Sequence, residues 1–128
     1  MGKFTNGGPV KFVDSHEWIF VEEEVGVVGI SVYAQKELGN IVYVELPKVG
    51  SFVKKGEEVA VLESTKAAAD IYSPVTGEIV AVNEVLKSDI TLLNTLPETD
   101  GWLFKIKVAN VQEMECLLNV EQYLALIS

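Results

Sequence analysis

Lys66 stands in the segment Glu63-Ser64-Thr65-Lys66-Ala67-Ala68-Ala69-Asp70. A strand-like run enters this segment, Ser64 opens a tight turn, and small alanines lead out. The pattern suits acylation of the ε-amine. A modifying enzyme must reach that amine, so the lysine must project from a rigid tip whose neighbours are too small to obstruct approach. Acylation converts the cation to a neutral amide. An arm attached there swings about a fixed root and meets successive sites at high effective concentration.

By residue type alone a lysine is most often a solvated surface cation. The chain carries its own control. Gly56-Glu57-Glu58-Val59-Ala60-Val61-Leu62-Glu63 recurs as Gly77-Glu78-Ile79-Val80-Ala81-Val82-Asn83-Glu84, and Lys87 lies at the same offset after the second copy as Lys66 after the first. No small-residue return strand follows Lys87. The surroundings of Lys66, rather than the lysine itself, carry the signal.

Other chemistries are poorly supplied. His16 is the sole histidine, which leaves no His-based metal cluster and no Ser-His-Asp triad; it is expected to pack beside Trp18 or to make a surface hydrogen bond. Cys116 is the sole cysteine, so an intrachain disulfide is excluded and a reducing compartment fits. On the apolar stripe of a predicted helix, Cys116 is expected to fill core space. No glycine-rich nucleotide fingerprint is present. No metal site and no intrinsic enzymatic activity are expected. A formal net charge of −9 over 128 residues opposes nucleic acid and anionic membranes, both of which would repel it. No apolar run approaches the roughly 20 residues of a membrane span. The first nine residues have neither an apolar signal core nor an Arg/Ser-rich amphipathic pattern. The expected location is cytoplasmic, or the mitochondrial matrix only if a transit peptide has been removed.

The elements that must hold Lys66 read as mainly β. One domain is expected over residues 12–128, after a flexible lead-in over residues 1–11. Glu17 to Val21, Val25 to Ile30, Ile41 to Leu46, Ile71-Tyr72, Glu78 to Val82 and Leu103 to Val108 read as short strands. Val59 to Leu62 has the apolar run of a buried strand. Ser31 caps a short helix, Val32 to Leu38, that Gly39 stops. Asn110 with Glu113 and Asn119 with Gln122 each suggest a capped C-terminal helix. Trp102 and Phe104 are expected in the core. Short strands at close spacing point to a sandwich or barrel, and the repeat suggests two similar half-sheets related by a pseudo-two-fold.

The segment from Glu63-Ser64-Thr65-Lys66-Ala67 through Asp70-Ile71-Tyr72-Ser73-Pro74-Val75-Thr76-Gly77-Glu78 resembles the lipoyl-lysine hairpin of the glycine cleavage H-protein family. Ser15-His16-Glu17-Trp18, Tyr33-Ala34-Gln35 with Leu38-Gly39, Val42-Tyr43-Val44-Glu45-Leu46-Pro47 and Asp100-Gly101-Trp102-Leu103-Phe104-Lys105-Ile106-Lys107 resemble further family motifs, in the family's order. The resemblance implies a lipoyl/biotinyl-type hammerhead β-sandwich with short terminal and C-terminal helices, and lipoate in amide linkage to Lys66. It implies a non-catalytic carrier that shuttles the aminomethyl group of glycine. Its partners would be glycine decarboxylase, the aminomethyltransferase, dihydrolipoamide dehydrogenase, and a lipoate ligase or lipoyl/octanoyl transferase. Ser15, Glu17 and Asp70 match positions near the cleft that shelters the loaded arm, where a carboxylate would hydrogen-bond the charged amine and a drier pocket would slow hydrolysis.

Three places depart from the family pattern. Ser31-Val32 stands where Thr-Asp is common, Pro97-Glu98 where Pro-Tyr is usual, and Glu22-Glu23-Glu24 replaces a glycine-bearing turn. The changes at Val32 and Glu98 are expected to alter a docking face or cleft wall. They leave open a second carrier role, in lipoyl relay or in a sulfur-oxidising assembly of heterodisulfide-reductase-like subunits. A biotin carrier is disfavoured because Thr65-Lys66-Ala67 lacks the flanking methionines. An unmodified interaction module would leave Lys66 bare.

Overall fold

The structure is a computed structural model that describes residues 10–128. Strands β1 (Lys11–Phe12), β2 (Glu17–Glu22) and β3 (Val25–Ile30) are followed by helix α1 (Val32–Leu38). Next come β4 (Ile41–Glu45), β5 (Phe52–Val53), β6 (Glu58–Ser64), β7 (Ala68–Tyr72) and β8 (Gly77–Val82). Helices α2 (Val85–Ser88) and α3 (Thr91–Thr95), strand β9 (Phe104–Val108), a 3₁₀ segment (Val111–Cys116) and helix α4 (Val120–Ile127) complete the chain. A six-stranded sheet in the order β1-β2-β3-β9-β8-β5 and a three-stranded sheet in the order β4-β6-β7 form a sandwich, as expected from the strand pattern. Every pairing is antiparallel.

The expected flexible lead-in over residues 1–11 lies outside the described residues as far as residue 9. Its last two positions belong to the fold: Val10 is buried and Lys11 pairs with Ile19.

Apolar side chains from both sheets meet in one cluster that includes Ile19, Val28, Ile41, Leu62, Ile79 and Phe104. Each fully buried aliphatic side chain of this size contributes about 2 kcal/mol. A second cluster forms under α4 from Phe12, Trp18, Phe20, Val27 and Tyr123, with the Phe12 and Tyr123 rings stacked at 4.2 Å. The two repeat copies enter different sheets, through β6 and β8. The run Val59 to Leu62 is buried on one face only: Ala60 and Leu62 point into the core while Val59 and Val61 are half-buried. The outer face of the small sheet is uncovered there, so the apolar run overstated the burial.

Local chemistry explains α1. The Ser31 hydroxyl accepts from the Ala34 amide, and Gly39, at φ 83°, donates its N–H to Gln35 and ends the helix. That dihedral disfavours any side chain with a Cβ.

At the C-terminus only one of the two expected capping boxes forms. Asn119 and Gln122 cap each other's backbone at the head of α4. Asn110 accepts from the Gln112 amide, whereas Glu113 turns away to the Thr76 amide at 2.7 Å and the Thr76 hydroxyl at 2.9 Å. The segment therefore winds as 3₁₀, whose period of three places Met114 and Leu117 on one face. Leu117 is buried and Met114 packs against the core. Cys116 consequently faces solvent, which corrects its expected place in the core. Phe104 is fully buried, but Trp102 is only half-buried, with Lys105 Nζ 5.1 Å from its ring centroid.

Asn119→Ala should lower stability by about 1 kcal/mol through loss of the cap. Urea unfolding monitored by tryptophan fluorescence would measure it, and an unchanged midpoint would show that the box contributes nothing.

Candidate functional site

Lys66 lies in the turn that joins β6 to β7, and it is exposed. Ser64 builds this turn. Its backbone N–H donates to Ala67 O at 2.8 Å, and its hydroxyl oxygen accepts from the Ala67 amide at 3.0 Å and the Lys66 amide at 3.2 Å. The Thr65 N–H donates to Asn40 O at 3.0 Å, which ties the tip to the loop after α1. That loop is tied in turn by Asn94. Its Oδ1 accepts from the Ile41 amide at 2.8 Å and from Gln35 Nε2 at 3.2 Å, and its Nδ2 donates to Ile41 O at 3.0 Å.

The lysine stem runs over Gly39, where an added Cβ would lie 3.6 Å from Lys66 Cε. Among the described residues Lys66 makes no ion pair. Ala67 and Ala68 leave its flank open, and both are exposed. The control lysine has a different setting. Lys87 lies in α2 and pairs with Glu84 at 3.1 Å.

Beside the hairpin a cleft of about 230 Å³ opens between α1 and β7. Its apolar wall comes from Ile30, Ala34, Leu38, Ala69 and Ile71, and its polar wall from Ser15, His16, Glu37 and Asp70. Asp70 is four residues from Lys66, about 13 Å along an extended strand. The cleft therefore lies within reach of an arm longer than the lysine itself. An exposed amine and a neighbouring apolar trough with carboxylates at one side fit a lipoyl arm carrying a cationic group.

Of the three sequence-derived candidates near this cleft, Ser15 and Asp70 line it. Glu17 does not: it is 1% exposed and lies beneath. Its Oε1 accepts from the Ser15 hydroxyl and its Oε2 from the Tyr72 amide at 3.0 Å. Glu17 thus joins the Ser15 turn to β7, the strand that carries Asp70. On the neighbouring strand β6, a hydrogen bond with Asp70 and that residue's charge push the Glu58 carboxyl up. His16 was not expected to take part, yet it lines the cleft. Its φ of 79° is one that histidine adopts more readily than most side chains.

Burial pushes the Glu17 carboxyl above its ordinary value of 4.5, against the opposing hydrogen bonds from Ser15 and Tyr72. The folded protein therefore holds this proton more tightly than the unfolded chain. The resulting stabilisation is complete below the ordinary carboxyl value and is lost as pH rises through the raised folded value. Glu17→Gln, whose oxygen can still accept from the Tyr72 amide while its NH2 donates to the Ser15 hydroxyl oxygen, should gain stability relative to wild type as pH rises above about 4.5. Urea midpoints of both proteins across that rise in pH test this; a difference that does not vary with pH refutes it.

Two of the departures noted in the sequence meet in space. The Val32 N–H donates to Glu98 Oε2 at 2.8 Å, so a carboxylate reaches the start of α1 from residue 98. Both residues line a separate groove of about 410 Å³ against α4, on the far side of Tyr33. The departures alter that face and not the cleft beside Lys66.

No helix among the described residues is long and apolar enough to cross a membrane, and no group of His, Cys, Asp and Glu among them could hold a metal ion.

Residues 10–128 match the family model described as glycine cleavage H-protein. The glycine cleavage system H protein of Thermotoga maritima is 50% identical over 113 residues, covering 88% of this chain and 91% of the relative. That of Alcanivorax borkumensis is 50% identical over 118 residues, covering 92% of each. The crystal structure of a glycine cleavage system H protein from Mycobacterium marinum matches with a TM-score of 0.84 and 34% identity, over 92% of this chain and 95% of that one.

Proposed function

The chain belongs to the glycine cleavage H-protein family, and we propose that Lys66 is the residue at which it carries its lipoyl group. As a member it is the non-catalytic, aminomethyl-carrying lipoyl protein of glycine cleavage. It serves glycine decarboxylase, the aminomethyltransferase and dihydrolipoamide dehydrogenase in turn. When bound, the lipoyl group supplies the disulfide sulfur that takes up the aminomethyl carbon.

The observation that supports Lys66 is its setting: an exposed amine with no ion pair among the described residues, on a cross-tied turn, with alanines on its exit side and the cleft alongside. Ser64 and Asn40 hold the root. In this reading Asp70 accepts a hydrogen bond from the cationic cargo, Ser15 offers it a second acceptor, and the apolar wall excludes water from it. Glu17 acts one layer down, as a positioning residue that holds Ser15 and β7 in register. The single, solvent-facing cysteine is consistent with a reducing cytoplasm, and we place the protein there.

The test is intact-mass analysis after co-expression with a lipoate ligase, followed by fragmentation. One lipoyl or octanoyl addition is expected, on the peptide containing Lys66. The modified protein should then support glycine–bicarbonate exchange by glycine decarboxylase. An addition mapped to another lysine refutes the attachment site.

A further inference from the structure

The side chains of Ser31, Tyr123 and His16 join helix α4 to the cleft, and the hydrogens along this chain can be counted. Ser31 and Tyr123 are 1% and 3% exposed. Ser31 Oγ accepts from the Ala34 amide at 3.1 Å and meets the Tyr123 hydroxyl at 2.7 Å. A buried hydroxyl hydrogen without an acceptor costs about 1–3 kcal/mol, so the Ser31 hydrogen goes to the Tyr123 oxygen. The Tyr123 hydrogen then goes to the remaining acceptor, His16 Nδ1 at 2.8 Å. An imidazole that accepts at Nδ1 carries its hydrogen on Nε2.

Rings and backbone hold the imidazole in place. Tyr33 lies 4.8 Å from it, centroid to centroid, and Tyr123 lies 5.7 Å away. The His16 N–H donates to Val13 O, and His16 O accepts from the Ser31 amide at 3.0 Å.

The cleft needs such a donor. Asp70 and Glu37 offer only acceptors, and the Ser15 hydroxyl has given its hydrogen to Glu17. Among the side chains that line the cleft, His16 is the one with a hydrogen left to give. The aminomethyl cargo joins a cationic nitrogen, which donates, to a sulfur, which accepts. A wall of acceptors serves only its nitrogen.

We propose that His16 presents a fixed Nε2–H donor to the acceptor atoms of the arm in this cleft, and that the C-terminal helix sets this donor through Tyr123 and Ser31. The proposal rests on Lys66 as the attachment point. It makes α4 part of the carrier site, although α4 contributes no side chain to the cleft.

A single histidine makes the test direct. Long-range ¹H–¹⁵N spectra should show the Nε2–H tautomer in the unmodified protein, and Tyr123→Phe should convert it to a mixture. Loading the lipoylated protein with the aminomethyl group should move the His16 Nε2 resonance and leave Nδ1 nearly unmoved. His16→Asn tolerates the left-handed backbone but is too short to reach the cleft with a second group. It should speed hydrolysis of the loaded adduct about fivefold, as expected for one lost hydrogen bond, when measured at a urea concentration and temperature where unfolding curves show both proteins fully folded. An Nδ1–H tautomer in the wild type, a loaded protein with unmoved His16 resonances, or an unchanged hydrolysis rate would each overturn the proposal. Intact mass separates the two levels: absence of an adduct on Lys66 overturns the attachment reading and this inference with it. An adduct whose arrival leaves His16 unaffected overturns the inference alone.

Discussion

Lys66→Arg should carry no lipoyl or octanoyl group, and glycine–bicarbonate exchange should fall to the level seen without the protein. Lys87→Arg should retain both. Arginine keeps the positive charge, but its delocalised guanidinium does not replace the amine that forms the amide. The change should not disturb the fold. Lys66 is exposed and forms no ion pair among the described residues, so stability should stay within about 0.5 kcal/mol of wild type. The turn is built by Ser64 and by backbone groups of Thr65 and Ala67, none of which the substitution touches. Lys87 loses at most an exposed pair with Glu84, a contact of little energetic weight. Mass spectrometry of both variants decides the matter. An adduct that persists in Lys66→Arg refutes the site, and one lost in Lys87→Arg shows that the modifying enzyme needs more than the hairpin.

The largest effect on stability is expected at Gly77, far from any chemistry. Gly77 lies in β8 between β5 and β9, opposite Val53 and Val108. A Cβ there would fall 2.1 Å from Lys107 O, 2.9 Å from Lys107 C and 3.0 Å from Ile106 Cγ1. The nearest obstacle is backbone, so no rotamer change relieves it, and β8 and β9 must move apart. Gly77→Ala should cost at least about 3 kcal/mol, a fall in Tm of about 10 °C for a domain of this size. Gly56→Ala is the matched control, since nothing lies within 4 Å of its Cβ and only its φ of 84° resists the change. It should cost about 1–2 kcal/mol. Thermal unfolding of the two variants, side by side, tests the difference. Equal costs would show that the sheet yields at Gly77.

Elements with chemical punctuation at both ends were legible in the sequence. Ser31 and Gly39 bound α1 at the expected residues, and β3 runs from Val25 to Ile30, the expected bounds. The hairpin was legible because a turn-forming serine, a lysine and a run of alanines are contiguous. Strands β1 and β5 have two residues each, too few to show a period. Cys116 was misplaced because an α-helical period was applied to a segment that winds as 3₁₀ once Glu113 is drawn off to Thr76. The supports of the site come from far along the chain. Asn94 acts on Ile41 across 53 residues, and Tyr123 on His16 across 107. Contacts of that span leave no local pattern, and so the partner of the sole histidine could not be read. Glu17 was placed in the right neighbourhood but one layer too shallow, because a sequence does not show which of two carboxylates lies beneath a turn.

The bracing of the hairpin tip has a consequence for accuracy. An angular error at the base of a lever grows in proportion to its length, so a small rocking of Lys66 would be magnified at the far end of the arm we propose it carries. The tie from Thr65 to Asn40, held in turn by Asn94, suppresses that rocking where it would be amplified most. With the lipoyl group attached as proposed, what the brace protects is the aim of the reactive sulfur, more than the position of the lysine.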